Sequence, residues 1–297
     1  MTPPPGRFDR DSRGDSPGNR DQNLSVVRVV GGQHGYRHLI ATLPDGRQAF
    51  VKSAESPRPE RAMAFAAEAN GLRWLREADG APVPEVLAVT DDLLAIELLP
   101  AGRATPEAAA EFGAALARTH AAGAPYFGAD WPGYIASLPL DNTPSPEAEW
   151  GEWWESRRIV PYVKRARDAG LLSPGDARLV ERVAARAGEL SGFTERPSRI
   201  HGDLWSGNLL WSGGRGWLID PAAHGGHRES DLAMLALFGA PYLERILSAY
   251  DAVYPLALGW RTRIPLHQMH PLLVHVCLFG GGYADQLRAA ARAALAA

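Results

Sequence analysis

The order of the secondary-structure patterns along the chain constrains its fold more than any other feature. Short runs rich in β-branched and apolar residues fill the stretch 24–99, and they surround one helical pattern, PERAMAFAAEANGLRWLREA at 59–78. After Pro100 the patterns are mainly helical, and one of the first opens with Thr105 as an N-cap candidate and Pro106 at the first helical position. This order predicts an α+β fold with two unequal lobes.

The smaller lobe is predicted to contain a five-stranded antiparallel sheet. Pro44-Asp45-Gly46-Arg47 is a favourable hairpin turn between the second and third strands. The five predicted strands are 24–30, 38–43, 48–52, 83–90 and 92–99. We therefore expect an N-terminal lobe at 24–99 and a larger lobe at 100–297, with a cleft near Pro100. Residues 1–22 are rich in Pro, Gly, Arg and Asp, and we expect them to form a disordered tail.

The larger lobe is predicted to be helical with one β-type interruption. RIHGDLWSGNLLWSGGRGWLIDPA contains two short strand patterns around the Gly213-Gly214 turn. The predicted helices lie at about 105–120, 149–168, 174–190, 229–238, 241–253, 264–278 and 283–296.

Charge and cysteine content exclude several classes of protein. The formal net charge is −3, so there is no general basic field to attract nucleic acid or an anionic membrane surface. A single cysteine, Cys277, rules out a disulfide framework and a cysteine-cluster metal site. The first twenty residues lack the apolar segment of a signal peptide, and no apolar run approaches the ~20 residues of a membrane span. We expect a cytoplasmic monomer.

The stretch RIHGDLWSGNLLW, at 199–211, contains the strongest chemical signal. Asp203 and Asn208 are separated by four residues, and Asp220 follows the apolar run WLI twelve residues after Asn208. Transfer of phosphoryl groups from ATP uses such a set: a carboxylate accepts the proton of the attacking hydroxyl, while an amide oxygen and a second carboxylate bind Mg²⁺. Protein kinases have the same order and similar spacing. A tight turn alone would also explain Gly-Asp, but not the whole set.

The smaller lobe offers an independent test of this interpretation. Such a site needs a strand lysine that contacts phosphates and a helix glutamate that orients it. Lys52 ends the strand QAFVK, and Glu68 lies mid-helix sixteen residues later. Each residue alone is also compatible with ordinary surface exposure, but both occur where the first motif requires them. The order of the motifs thus predicts a nucleotide-binding first lobe and a catalytic, substrate-binding second lobe.

Two further segments are candidates for nucleotide binding. Gly31, Gly32 and Gly35 lie between the first two strands, where backbone N–H groups can cradle phosphates, although a plain hairpin explains them equally well. Glu97 and Leu99, at the junction of the lobes, can offer backbone groups to adenine.

With these residues in hand, the chain resembles the fructosamine kinase, or ketosamine-3-kinase, family, within the protein-kinase-like fold of aminoglycoside phosphotransferases. The most specific elements are HGDLWSGN at 201–208 and IDPAAHGGHRESDLAMLALFG at 219–239. Further similar blocks are FVK, FAAEANGL, WWESRRIVPYV and LFGGGY. The resemblance implies ATP- and Mg²⁺-dependent phosphorylation of the 3-hydroxyl of ketosamines, either small molecules or glycated proteins. Because the 3-phosphate product is unstable, it also implies a role in deglycation.

The resemblance also assigns roles to individual residues. Asp203 looks like the catalytic base, Asn208 and Asp220 like the Mg²⁺ ligands, and Lys52 with Glu68 like the pair that anchors the phosphates. Trp205 and His275 are similar to residues of the sugar pocket, although a core tryptophan and a helix-packing histidine are alternatives. His201 and Asp231 are expected to support the catalytic loop, Asp231 by accepting backbone hydrogen bonds.

Some positions depart from the family pattern and leave alternatives open. The histidine motif appears here as Val274-His275-Val276-Cys277, without the flanking asparagines, and AAHGG replaces a more aromatic sequence. The glycine-rich loop contains no cysteine, so a thiol switch there is not expected. A kinase for an aminoglycoside or choline would share the catalytic residues but would not explain LWSG or HRESDLAM. A nucleotide-binding pseudokinase is the second alternative, and the complete set of catalytic groups argues against it.

Overall fold

The N-terminal part of the chain is a twisted antiparallel sheet covered by one helix. The computed structural model describes residues 25–33, 35–56, 58–146, 149–192 and 194–297. Five strands form the sheet in the order β1-β2-β3-β5-β4. Their bounds are β1 Ser25–Gln33, β2 Tyr36–Thr42, β3 Gln48–Ala54, β4 Val86–Val89 and β5 Leu93–Glu97. The predicted five-stranded antiparallel sheet is therefore confirmed, while the predicted tail at 1–22 lies outside the described residues.

Local sequence explains the turn and the helix of this region. Gly46 has a φ of 85°, which glycine adopts without strain, and its N–H donates to the carbonyl oxygen of Leu43 to close the β2–β3 hairpin. Helix α1, Pro59–Arg76, begins with proline. The face of α1 that contacts the sheet contains apolar residues spaced three or four apart, namely Phe65, Ala69, Leu72 and Leu75.

The rest of the chain is mainly helical, as the sequence predicts. The helices are α2 Pro106–Ala121, α3 Trp150–Trp154, α4 Val160–Asp168, α5 Pro174–Ala184, α6 Ala187–Leu190, α7 Glu229–Phe238, α8 Leu243–Val253, α9 Trp260–Phe279 and α10 Ala284–Ala296. A π-helical turn, Glu155–Ile159, joins α3 to α4. The predicted helix at 174–190 is wrong in detail, because it is divided into α5 and α6. Helix α9 begins four residues earlier than predicted and accommodates both Pro265 and Pro271.

Six short strands lie among these helices. They are β6 Gly133–Ile135, β7 Leu138–Leu140, β8 Ser198–Ile200, β9 Leu209–Ser212, β10 Arg215–Leu218 and β11 His224–Gly226. The β9–β10 hairpin corresponds to the predicted interruption of the helical region. The β6–β7 hairpin and the β8–β11 pair were not predicted.

Close packing of α2 against α8 supports the region beside the loop between β8 and β9. A Cβ atom at Gly113 of α2 would lie 2.1 Å from the carbonyl oxygen of Ile246 in α8, so this contact requires glycine. Phe112 is buried beside it and meets Trp211 of β9 edge to face, at 6.1 Å between ring centroids. The two helices therefore support β9.

A buried ion pair links α7 to α9. Arg263 Nη2 donates to Glu229 Oε1 at 2.5 Å, and Arg263 Nε donates to Glu229 Oε2 at 2.9 Å. His267 Nε2 lies 3.4 Å from the same carboxylate, and His227 is beside it. These three ligand-type residues are close enough to hold a metal ion, but Arg263 already binds both carboxylate oxygens. We therefore interpret the cluster as an ion pair that stabilises the larger lobe.

No helix in the described part of the chain is long and apolar enough to cross a bilayer.

Candidate active site

The predicted catalytic loop connects β8 to β9 and is held in place by Asp231 of α7. The carboxylate of Asp231 accepts hydrogen bonds from the backbone N–H groups of His201, at 2.7 Å, and Gly202, at 2.9 Å. His120 of α2 contacts the same carboxylate at 3.2 Å. Asp231 is 1% exposed, so these contacts satisfy a carboxylate that water cannot reach.

His201 fixes the loop from the inside. Its Nε2–H donates to the carbonyl oxygen of Ile219 at 2.8 Å, and its Nδ1 accepts the N–H of Asp203 at 3.2 Å. Burial lowers the pKa of His201 below its ordinary value, so the ring is neutral and keeps Nδ1 as an acceptor. Gly202 has a φ of 81°, and a Cβ there would lie 2.4 Å from the carbonyl oxygen of Ala222. The loop therefore requires glycine between His201 and Asp203.

Asn208 orients Asp203. Its Nδ2 donates to the backbone oxygen of Asp203 at 2.8 Å and to the Asp203 carboxylate at 3.1 Å. Burial and the negative charge of Asp220 raise the pKa of Asp203 well above its ordinary value of 3.8, although the hydrogen bond from Asn208 opposes this shift. A carboxylate with a raised pKa is suited to accept a proton at neutral pH.

Lys52 connects the two lobes. Its Nζ lies 2.8 Å from Glu68 Oε1 in α1 and 2.5 Å from Asp220 Oδ1, which follows β10. Lys52 and Glu68 are nearly buried, whereas the side chain of Asp220 is 36% exposed. The strand lysine, the helix glutamate and the second carboxylate are thus in direct contact across the cleft.

Two carboxylates share this one lysine, and their pKa values respond differently. Burial opposes ionisation of Asp220, but the adjacent Lys52 ammonium outweighs it and holds the pKa of Asp220 below its ordinary value. Burial raises the pKa of Glu68 more than Lys52 lowers it, and the charge of Asp220 raises it further. Asp220 also has a φ of 54°, a strained value for a residue other than glycine. The more exposed Asp220 is therefore the carboxylate that keeps its charge toward the cleft.

The glycine-rich segment makes a tight connection from β1 to β2. Gly35 has a φ of 81°, and a Cβ there would lie 2.0 Å from Arg61 Nη2 of α1. At Gly32 a Cβ would lie 2.6 Å from the carbonyl oxygen of Tyr36. Gly31 and Gly32 are exposed, and His34 lies outside the described residues. Gly32 is thus needed for close approach to the backbone of Tyr36, and Gly35 for its positive φ, while the phosphate-cradling role of the segment stays a prediction.

Glu97 and Leu99 lie at the end of β5 and just after it, and both are half-buried. The N–H of Glu97 donates to the carbonyl oxygen of Glu85 at 2.9 Å, and the Glu97 carboxylate accepts the N–H of Glu85 at 3.3 Å. Neither Glu97 nor Leu99 lines the cavity that contains Asp203. Adenine bound to Glu97 or Leu99, as predicted, would therefore lie outside that cavity.

A cavity of about 530 Å³ contains Lys52, Glu68, Asp203, Asn208 and Asp220. The predicted sugar-pocket residues Trp205 and His275 line the same cavity. Its other walls come from the β6–β7 hairpin and from aromatic residues that the sequence analysis missed, namely Trp131, Tyr134, Phe238, Phe279 and Tyr283. Part of this wall could have been predicted from the sequence, because His275, Phe279 and Tyr283 follow one another at intervals of four residues.

Comparisons with known proteins identify relatives of this chain. The sequence profile of the family described as fructosamine kinase matches residues 15–297. A curated relative from Enterococcus faecium, named a probable ketoamine kinase, is 32% identical over 272 residues, which are 89% of this chain and 93% of the relative. A crystal structure from Thermobifida fusca, assigned to a fructosamine-3-kinase, has a TM-score of 0.88 and 53% sequence identity, and it covers 92% of this chain and 94% of that one.

More distant structures define the fold. The ADP-bound aminoglycoside phosphotransferase APH(2'')-Ib has a TM-score of 0.62 at 14% identity, covering 93% of this chain and 96% of that one. At this identity the likeness concerns the fold alone, and it confirms the predicted two-lobed, protein-kinase-like architecture. The profile match over nearly the whole chain and the relatives above 30% identity show that the chain belongs to the fructosamine kinase family.

Proposed function

We propose that this fructosamine kinase family member transfers the γ-phosphoryl group of ATP to the 3-hydroxyl of a ketosamine. The observation that carries the proposal is the position of Asp203, a carboxylate with a raised pKa, in one cavity with the Lys52–Asp220 ion pair. Family membership supports the acceptor class, because the Enterococcus faecium relative is named a probable ketoamine kinase.

In the proposed reaction Asp203 accepts the proton of the 3-hydroxyl. The hydroxyl oxygen forms a bond to the γ-phosphorus, the bond from that phosphorus to the β–γ bridging oxygen breaks, and ADP leaves with the electron pair. Asn208 holds the Asp203 carboxylate in position through its 3.1 Å hydrogen bond. Lys52, oriented by Glu68, offers positive charge to the phosphates.

A Mg²⁺ ion fits the proposed site. Asn208 uses its Nδ2 as a donor, and among the described residues nothing donates to its Oδ1 or to the second carboxylate oxygen of Asp220. An amide oxygen and a carboxylate oxygen are ligands that Mg²⁺ prefers. Asn208 and Asp220 would hold the ion, and it would neutralise phosphate charge when bound.

The acceptor sugar is proposed to bind against Trp205 and His275. The Trp205 ring is 41% exposed and lines the cavity two residues after Asp203. His275 Nδ1–H donates to the carbonyl oxygen of Pro271 at 2.7 Å, which leaves Nε2 as an acceptor for a sugar hydroxyl. A ring face and an acceptor near the base are suited to the C–H groups and hydroxyls of a sugar.

The charges around the cavity favour this acceptor over an aminoglycoside. Within the described cavity lining, the carboxylates are Glu68, Asp203 and Asp220, and all three belong to the phosphoryl-transfer centre. A polycationic acceptor would therefore find no further acidic partners there. Small ketosamines and the ketosamine groups of glycated proteins are the proposed substrates, and deglycation by a cytoplasmic monomer is the proposed role.

An acceptor panel tests the proposal. The purified protein is incubated with Mg²⁺, ATP and either ribuloselysine, fructoselysine, an aminoglycoside or choline, and ADP release is measured together with ³¹P NMR of the product. We expect turnover with a ketosamine, and a loss of at least ~10²-fold in the Asp203→Asn variant. Turnover of an aminoglycoside or choline without turnover of any ketosamine would overturn the proposal.

A further inference from the structure

Five aromatic side chains form a continuous face that runs from the catalytic loop to the start of α10. This aromatic wall consists of Trp205, Phe238, His275, Phe279 and Tyr283. Trp205 meets Phe238 edge to face at 6.3 Å, and Phe238 meets His275 at 4.9 Å between ring centroids. His275 contacts Tyr283 at 4.9 Å, and Phe279 lies 6.1 Å from Tyr283. The wall therefore extends the cavity outward from Asp203.

The aromatic wall is unusually open to solvent along its length. Trp205 is 41% exposed, Phe238 36% and Phe279 56%, although each is a large apolar side chain. Isolated exposed apolar residues are common, but an exposed group that shares one cavity with a catalytic carboxylate marks a binding surface. Sugar recognition beside Asp203 needs Trp205 and His275, and it leaves the outer rings without a role.

The wall is also free of formal charge in the part of the cavity that the structure describes. The charged residues of the cavity lining are Lys52, Glu68, Asp203 and Asp220, all at the phosphoryl-transfer centre. Val274 and Leu278 of α9 add apolar surface between the rings. A carboxylate or a second ammonium bound against this wall would lose water without gaining an ionic partner. An apolar or aromatic group would instead bury surface at no such cost.

We propose that the outer rings of the aromatic wall, Phe238, Phe279 and Tyr283, are the subsite for the group attached to the amine of the ketosamine, and that they select substrates in which this group is apolar or aromatic. The inference rests on the proposed function. In this proposal the 3-hydroxyl lies at Asp203, and the substituent on the amine occupies the part of the same cavity that the outer rings line. The protonated amine itself is attracted by the electron-rich ring faces.

Two ribulosamines that differ by one phenyl ring test this selectivity, the adduct of ethylamine and the adduct of phenethylamine. We expect kcat/KM to be about tenfold higher for the phenethylamine adduct, mainly through KM, because burying roughly 60 Å² of aromatic surface is worth about that factor in affinity. The ribulosamine of glycine, which carries a carboxylate, is expected to be the poorest of the three acceptors.

A matched pair of variants locates the selectivity on the wall. Phe279→Ala is expected to reduce the ratio of kcat/KM between the phenethylamine and ethylamine adducts by at least threefold. Leu258→Ala removes a side chain that is 93% exposed and lies outside the cavity lining, and it should keep the wild-type ratio. Melting temperatures of both variants show whether each is folded, and Phe279→Leu, which keeps apolar volume but not the ring, should give an intermediate ratio.

The possible outcomes separate this inference from the proposed function. Equal kcat/KM for the two amine adducts, or an unchanged ratio in folded Phe279→Ala, would overturn the aromatic subsite while leaving ketosamine phosphorylation intact. Absence of turnover with every ketosamine would overturn the proposed function, and the subsite with it.

Discussion

The side-chain amide of Asn208 donates one hydrogen bond to the backbone oxygen of Asp203, at 2.8 Å, and another to the Asp203 carboxylate, at 3.1 Å. One end of this amide thus orients the proposed base, and its other end carries the oxygen proposed to bind Mg²⁺. Four residues separate Asp203 from Asn208, and the short 3₁₀ turn Ser206–Asn208 brings the Asn208 amide back over Asp203. The two roles are therefore coupled through one side chain.

Asn208→Asp separates these roles. The new carboxylate keeps an oxygen ligand but faces Asp203 with like charge, which raises the already elevated pKa of Asp203 further. Because the base must be ionised, activity is lost as pH falls through its pKa, so the acidic limb of the kcat/KM profile should move upward by about one pH unit. Asn208→Ala, which adds no charge, should move it less. An acidic limb at the wild-type position in Asn208→Asp would contradict this coupling.

Gly207 lies beneath the ring of Trp205, and this contact offers a test of the sugar site. A Cβ at Gly207 would lie 2.2 Å from Trp205 Cη2, so Gly207→Ala must displace the ring. We expect KM for the ketosamine to rise about fivefold or more, with KM for ATP changed less than about twofold, because a lost ring face weakens acceptor binding alone. Initial-rate kinetics with each substrate varied distinguish the two constants.

The control for this variant is Gly188→Ala, since a Cβ at Gly188 would meet no atom within 4 Å and its backbone does not require a positive φ. It should leave both constants near their wild-type values. Equal changes in both constants in Gly207→Ala would indicate a general disturbance of the catalytic loop and not a sugar-site effect.

Much of the fold and the transfer centre follows from local sequence. The patterns predict the five-stranded sheet, α1 and most later helices, because amphipathic spacing and the Pro44–Arg47 turn are local signals. Lys52, Glu68 and Asp220 could be predicted from the sequence because their order and spacing are typical of ATP-dependent phosphoryl transfer. The structure brings the three side chains into contact. Their roles stay predictions until variants are assayed.

The parts that local sequence did not predict depend on distant contacts. Strands β6 and β7 have three residues each, too few for an alternating pattern to be recognised. Phe238 and Phe279 belong to different helices, and only the packing of α7 against α9 brings both to the His275 ring. Their helical patterns indicate apolar faces but not which face borders a cleft.

The buried pair Arg263–Glu229 should dominate the stability of the α7–α9 contact. Glu229→Gln leaves a buried guanidinium without its anion, and we expect the free energy of unfolding to fall by about 3–5 kcal/mol. Glu244→Gln breaks a pair of similar length, Arg261–Glu244 at 2.7 Å, whose carboxylate is 70% exposed, and should cost less than about 1 kcal/mol. Urea denaturation at pH 7.5 measures both, and equal effects in the two variants would contradict the buried-pair assignment.

The lowered pKa of Glu229 predicts a loss of stability at acidic pH. Burial opposes ionisation of Glu229, but the nearby His267 ring and the hydrogen bonds from Arg263 outweigh it and lower the pKa of Glu229 to about 2. Because the folded pKa lies below the ordinary value of 4.5, this contribution is present above pH 4.5 and is lost as pH falls toward about 2. Unfolding curves of wild type and Glu229→Gln should therefore converge as pH is lowered through this range.

Buried histidines predict a second loss of stability on acidification, which begins at a higher pH than the loss due to Glu229. His224, His227 and His270 are each less than 9% exposed, and burial lowers their pKa values below 6.5, that of His224 to about 3. As pH falls, these histidines are therefore protonated in the unfolded chain before they are protonated in the folded protein. The stability that they contribute as neutral groups is present above pH 6.5 and declines as pH falls below it. These histidines therefore lower the free energy of unfolding as pH falls from 7.5 to 5.5, while Glu68 and Asp203, whose pKa values are raised in the folded protein, oppose this change.

His270 allows this linkage to be assigned to a residue. Its Nε2 has no hydrogen-bond partner in the described structure, and it lies near the positive charge of Arg158. In His270→Gln the proton uptake on unfolding, obtained from the slope of stability against pH, should be lower than in wild type by about one proton at pH 5.5, because an unfolded histidine is almost fully protonated there whereas glutamine does not titrate. An unchanged slope at pH 5.5 in His270→Gln would show that His270 is already protonated in the folded protein.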